Sequence, residues 1–303
     1  MSSNNTRQGL LLAISAYVLW AIAPIYFKFL DHVEPMVILS HRIFWSFMLT
    51  VVIIFCVRQW PKVWEALKSK TVMTALMVST LLIGANWGIF IWAVNSGNML
   101  SASLGYYINP LLNILLGVLF FHERLNSRQL FATLLCVAAV GYEIWSFGEI
   151  PWVAVALASS FALYGLVRKK IAIDSFTGMA LETGFLLPFA LGYLFFTQGP
   201  WFGLDLNGLA LNATLFFAGP VTMLPLLCFA AAANRISMRS LGFLQYIGPS
   251  GMFVLAIFVY GEAFDVNKLV TFVIIWSALI ILVWDGVRMQ KNTRIAKNLS
   301  LAK

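Results

Sequence analysis

The chain has 303 residues, 61% of them apolar and 11% charged, with a formal net charge of +8. A soluble domain carries about 25% charged residues and has too small an interior to hide this much Leu, Ile, Phe and Trp. Composition therefore excludes a water-soluble globular domain and leaves lipid as the solvent. The basic surplus lies in short clusters between apolar runs, which is how membrane topology is written, and so does not point to nucleic acid.

A helix needs roughly 20 apolar residues to cross the hydrocarbon layer. In chain order that ruler predicts segments at 9–29, 36–57, 71–94, 98–120, 128–147, 150–168, 177–198, 208–232, 239–261 and 266–286. The expected class is all-α integral membrane, with ten transmembrane helices. The connections between them are short, and residues 1–8 and 287–303 are polar tails. No cleavable signal peptide is expected, because the first segment runs through a polar loop straight into the second. Cys56, Cys136 and Cys228 stand singly in apolar runs without metal or redox spacing, so they are expected to pack as small hydrophobes.

The charges orient the bundle. With the N-terminus in the cytoplasm, 17 of the 20 Lys and Arg fall on the inner side. They are Arg7, then Arg58, Lys62, Lys68 and Lys70, then Arg124 and Arg128. Arg168, Lys169, Lys170, Arg235 and Arg239 follow, and the basic C-terminal tail completes them. Only Lys268 lies in an outer loop, with Lys28 at an outer helix end and Arg42 inside a helix. The rule that positive loops stay inside then puts both termini in the cytoplasm of a bacterial-type inner membrane.

Two stretches align without gaps at an offset of 139 residues: NSGNMLSASLGYYINP (95–110) over NRISMRSLGFLQYIGP (234–249). They share Asn95/Asn234, Met99/Met238, Ser101/Ser240, Tyr107/Tyr246, Ile108/Ile247 and Pro110/Pro249, and Glu123 and Glu262 follow each proline at the same distance. At an offset of 141, LWAIAPIYFK (19–28) lies over SFALYGLVRK (160–169). These matches predict a first five-helix repeat at 9–147 and a second at 150–286. Five crossings are an odd number, so the second copy enters the membrane from the other side. The result is an inverted repeat, a plan used by transporters that alternate access around a midplane site.

The chain resembles the drug/metabolite transporter superfamily, in its EamA-type branch. The likeness rests on LWAIAPIYFK in the first segment, SHRIFWS in the second, GANWGIFIWAVN in the third and SLGYYINPLLNILLGVLFFHERL in the fourth. SFALYGLVRKK in the sixth, and LQYIGP with GEAF in the ninth, add to it. The resemblance implies a central cavity between the two halves, lined mainly by the first, third, fourth, sixth, eighth and ninth helices. It also implies export of a small organic metabolite or drug, with a chloramphenicol-like solute as one candidate.

His41 and Arg42 sit about two helical turns below the outer boundary. A guanidinium there costs at least ~2.5 kcal/mol unless it meets water or a partner. Arg42 is expected either to contact an anion or substrate, or to snorkel to the outer headgroups. Glu182, the repeat-mate of His41, lies at the matching depth from the inner face. It either shuttles a proton or binds a cation, or else sits bonded at a wet rim. The inversion separates Glu182 from Arg42 in depth, and Glu143, near the outer end of the fifth segment, becomes the expected partner of Arg42.

Trp20, Trp87, Trp92, Tyr106, Tyr107, Tyr164, Gln245 and Tyr246 are the candidate cavity lining for an aromatic, weakly polar solute. Ordinary packing and interfacial anchoring are the alternative. Pro24, Pro110 and Pro249 interrupt helices; Pro24 joins the lining, and the repeated pair is expected to bend the helices around the cavity. Asn95 and Asn234 are expected to cap helix ends, and Glu123 and Glu262 to pair at them. Gly84, Gly88, Gly105 and Gly117 are expected at close helix contacts.

A secondary transporter using a proton or solute gradient fits these features best, because no GxxxxGK[ST] phosphate loop is present to bind ATP. An integral membrane enzyme acting on lipid is the alternative, but no HExxH or paired Asp motif supports it. A channel would call for a ring of like charge or a filter-like segment, and neither is visible. No cofactor is expected. A homodimer is compatible with the sequence, with no feature in its favour.

Overall fold

A computed structural model describes residues 3–96, 99–148, 151–197, 204–259, 261 and 269–285. Every regular element among the described residues is an α-helix. In order they are α1 (Ser3–Lys28), α2 (Pro35–Cys56), α3 (Trp60–Lys68), α4 (Lys70–Asn95), α5 (Met99–Phe121) and α6 (Ser127–Phe147). There follow α7 (Trp152–Ile171), α8 (Ser175–Phe196), α9 (Leu204–Ala233), α10 (Met238–Gln245) and α11 (Ile247–Phe258). The last is α12 (Leu269–Asp285). Among the described residues eight helices are long and apolar enough to cross a membrane, counting α10 and α11 as one broken span. The protein is therefore a multi-pass membrane protein. α7 has 20 residues, but Arg168, Lys169 and Lys170 in its last turn lower its hydropathy. α12 is apolar but shorter, with 17 described residues.

Two local features depart from the sequence expectation. α3 lies in what reads as a polar loop, because its nine residues are too few to span. Its Val63 and Ala66 are buried, whereas Trp64 is exposed. The ninth segment is broken between Gln245 and Ile247. Pro249 stands in the first turn of α11, where its missing N–H costs nothing, so the repeated proline marks a helix start here. Its mate Pro110 lies inside the unbroken α5.

The two halves of the chain interleave. α1 packs on α9 and α11, α2 on α8 and α9, α4 on α7, and α5 on α7 and α10. Small residues permit these approaches. A Cβ added to Gly105 would stand 3.1 Å from the Ala154 carbonyl oxygen of α7, and one on Gly84 would stand 3.1 Å from Leu186 of α8. A Cβ on Gly117 would meet Glu123 at 2.8 Å. These three glycines are close contacts, as expected. Gly88 is not, since a Cβ there would meet nothing within 4 Å.

Helix ends are tied by polar groups from distant segments. The Glu123 carboxylate accepts from the backbone N–H groups of Met238 (2.8 Å) and Arg239 (2.9 Å). It thus caps the start of α10 instead of pairing with its neighbours Arg124 and Arg128. Lys169 donates to the Ala233 carbonyl at 2.8 Å and also to that of Ile236, closing the end of α9. Asn234 caps no helix of its own: it donates to Ile173 O at 2.9 Å and so holds the α7–α8 turn. The Asn95 side chain, Glu262, Lys268 and the C-terminal tail lie outside the described residues.

Asp285 ends α12 as a buried carboxylate. Asn126 donates to it at 2.6 Å and Arg128 at 2.9 Å, both from the start of α6. Asp285→Ala removes the acceptor for both and is expected to cost ~1–3 kcal/mol. Thermal unfolding of the purified protein in detergent checks this, and an unchanged Tm would count against the tie.

Candidate functional site

Arg42 marks the place where the helices converge. Its Nε donates to Thr222 Oγ1 of α9 at 2.7 Å. Its guanidinium carbon lies 5.2 Å from the centre of the Phe27 ring of α1 and 5.4 Å from that of Trp87 of α4. Tyr26 of α1 and Tyr106 of α5 stand within electrostatic range of the charge. Five helices thus contribute to one guanidinium, and two aromatic faces stabilise it by cation–π attraction. Trp87 is buried, Arg42 is half-buried and Tyr106 is exposed. His41, one residue earlier on α2, is buried.

The expected Arg42–Glu143 pair does not form. Glu143 accepts from Thr271 Oγ1 of α12 at 2.7 Å. The residue count puts the two at one depth, but α6 packs beside α5 and α12, away from α1, α4 and α9. Depth follows from a residue count along one helix, whereas the side of the bundle depends on packing.

A second polar cluster surrounds Glu182 of α8, which is 2% exposed. Ser79 of α4 donates to its Oε1 at 2.6 Å and Tyr164 of α7 to its Oε2 at 3.2 Å. Arg168 of α7 forms an ion pair with it at 3.7 Å. Glu182 is paired with Arg168 and not with Arg42. Arg168 itself corrects an expectation. It counts among the loop charges in the sequence, yet only 2% of it is exposed. Gly178 makes its berth, since a Cβ there would lie 1.5 Å from Arg168 Nη1.

An aromatic cluster adjoins this pair. The Trp20 ring lies 5.6 Å from that of Phe161 and 5.9 Å from that of Phe229, and Tyr164 stacks on Phe229 at 6.3 Å. Pro24 follows one turn after Trp20 and is half-buried. Gln245 joins a buried amide chain: Asn113 donates to it at 2.6 Å and to Asn109 at 3.1 Å. Trp20, Pro24, Trp87, Tyr106, Tyr164 and Gln245 therefore lie on helices that meet inside the bundle.

Three candidates lie elsewhere. Trp92 pairs with Trp152 at 5.1 Å, in the last turn of α4 and at the start of α7, and both rings are about half exposed. This is an anchor at the end of the bundle. Tyr107 and Tyr246 pack with Ala132, Cys136, Ile275 and Ala278 on α6 and α12. They seat α6 and α12 against α5 and the end of α10. Among the described residues no group of three or more His, Cys, Asp or Glu stands ready to hold a metal.

Residues 7–142 match the EamA-like transporter family. An uncharacterized transporter of Vibrio cholerae is 52% identical over 294 residues, 97% of each chain. The protein RarD of Salmonella typhimurium is 49% identical, covering 96% of this chain and 100% of that one. The chain belongs to the RarD-type EamA transporters. It is thus a membrane transporter and not an enzyme. A chloramphenicol-sensitive protein RarD of Pseudomonas aeruginosa is a more distant relative, 31% identical over 94% of this chain and 96% of its own. A solved crystal structure, 16% identical, matches with a TM-score of 0.69 over 90% of this chain and 96% of that one. At that identity the likeness speaks for the fold alone.

Sequence reasoning missed Thr222, Ser79 and Arg168. Threonine and serine are common in membrane helices and carry no signal of their own. Arg168 is hidden by the two lysines that follow it. One clue was available: the α7 pattern continues through Arg168 to Ile171, and Gly178 lies just beyond the turn.

Proposed function

We propose that the protein exports a small organic solute by alternating access between two inverted five-helix halves, with both termini in the cytoplasm and a proton or solute gradient as the driving force. The observation that carries this is the Arg42 guanidinium, gathered by α1, α2, α4 and α5 of the first half and by α9 of the second. A charge held between two halves that repack is the arrangement a transport site needs.

Several features support the finer points. α7, with 20 residues, and the apolar α12 support reading two further crossings beyond the eight apolar spans, ten in all. Packing pairs recur under exchange of the halves: α1 on α9 answers α7 on α4, and α1 on α11 answers α7 on α5. Polar ties join ends that the charge count assigns to one face, as in Arg128–Asp285, Lys62–Asp174 and Lys169 with the α9 end. Glu34 and Tyr193, both assigned to the outer face, meet as well. Glu182, buried at the α4–α7–α8 junction, is the candidate for coupling, and His41 and Glu143 are further titratable groups in helices. The chloramphenicol-sensitive relative makes chloramphenicol one solute to try.

The test is purified protein in liposomes with a solute panel that includes chloramphenicol, with and without a pH gradient. Movement of at least one solute, accelerated by a gradient, is the expected result. No movement of any solute under any gradient would overturn the proposal.

A further inference from the structure

We infer that Arg42 is a receptor for a carboxylate, and that the preferred substrates are small aromatic monocarboxylates. This rests on the transporter reading and narrows its substrate class. Thr222 occupies only Nε. Among the described residues no other hydrogen bond and no carboxylate engages the guanidinium, so the four N–H groups of its two Nη atoms are left for a ligand. Among the described side chains, the carboxylates on the long helices already have partners: Glu182 has Ser79, Tyr164 and Arg168, Glu143 has Thr271, and Asp285 has Asn126 and Arg128. Other arginines are engaged. Arg128 pairs with Asp285, Arg168 with Glu182, and Arg239 donates to Gln129.

Thr222 also fixes the direction of the group. With Nε held, the edge carrying the two Nη atoms presents a planar fork, which matches the two oxygens of a carboxylate. The Phe27 and Trp87 rings lie beside the charge, 5.2 and 5.4 Å from its centre. The same rings offer flat apolar surface to the body of a ligand, and Tyr106, within electrostatic range of Arg42, is partly exposed. In such a low-dielectric setting an unpaired guanidinium is costly until an anion arrives, and the anion then gains from the same setting. A neutral amide of the same shape gains much less.

The experiment measures binding to the full chain in zwitterionic phosphatidylcholine nanodiscs, so that no anionic headgroup competes. Benzoate, phenylacetate and indole-3-acetate are each compared with the corresponding amide. At least one acid is expected to bind roughly tenfold or more tightly than its amide. Arg42→Gln is expected to erase that preference, and Arg42→Lys to restore only part of it. Equal binding of acid and amide in every pair by the unaltered protein, or no binding of either, overturns the inference without relying on any variant. A preference that survives Arg42→Gln overturns it as well. The liposome panel separates the two proposals. Gradient-driven movement without an acid preference leaves the transporter reading standing and removes this one.

Discussion

Arg168→Met is expected to be the most destabilising single change in the protein, costing ~3–5 kcal/mol, because it leaves a buried carboxylate without its cation. Glu182 would keep Ser79 and Tyr164 as donors, at 2.6 and 3.2 Å, but would lose the neighbouring positive charge. Adding Glu182→Gln should recover part of the loss, since a neutral amide still accepts from both hydroxyls. Gly178→Ala should reproduce the damage from the other side. A methyl group there would overlap Arg168 Nη1, and the guanidinium could yield only by leaving its berth. Thermal unfolding in detergent, followed for the two singles and the double, tests the set. If the double variant is as unstable as Arg168→Met alone, the ion pair is not what holds this junction.

The second large effect is expected at the α2–α9 crossing. A Cβ on Gly219 would lie 2.5 Å from Trp45 Cβ, 2.8 Å from the Trp45 carbonyl carbon and 3.1 Å from Ser46 N. Two of these are backbone atoms, so no side-chain rotation relieves the clash and the helices must separate. Ser46 donating to Gly219 O at 3.2 Å, Thr50 to Met223 at 3.1 Å and Arg42 to Thr222 at 2.7 Å all span the same crossing. Gly219→Ala is therefore expected to cost ~1–3 kcal/mol, and Gly219→Val more. Any solute movement found in liposomes should fall with it, because Arg42 loses its anchor. Gly141→Ala in α6 is the control: its Cβ would meet nothing within 4 Å, and the helix should gain up to ~1 kcal/mol. Equal Tm values for Gly219→Ala and the unaltered protein would refute the close crossing.

How far the sequence was legible differs residue by residue. Arg42 stood out because a charge inside an apolar run is expensive wherever it ends up, and that cost is a property of composition. Its partner was misread. Glu143 was selected by depth, which counting along a helix supplies, but Thr222 was selected by the face that α9 turns toward α2. Arg168 failed for the opposite reason. It ends an apolar run beside Lys169 and Lys170 and so looked like topology-setting charge, although the fold buries it against Gly178 and Glu182. Tyr107 and Tyr246 align in the sequence and were read as cavity lining, but both pack against α6 and α12, a contact that alignment alone does not reveal.

The sequence by itself determined the solvent, the helical class and the approximate place of the long apolar helices, because each depends on sums over one segment: apolar length and charge clusters. The tertiary structure alone decided which polar groups meet. Arg42 with Thr222, Arg168 with Glu182, Glu123 with the start of α10 and Asp285 with Asn126 all join residues far apart in the chain. Such pairs depend on rotation and tilt of whole helices, which in lipid are set by close contact of small residues and not by hydrophobicity.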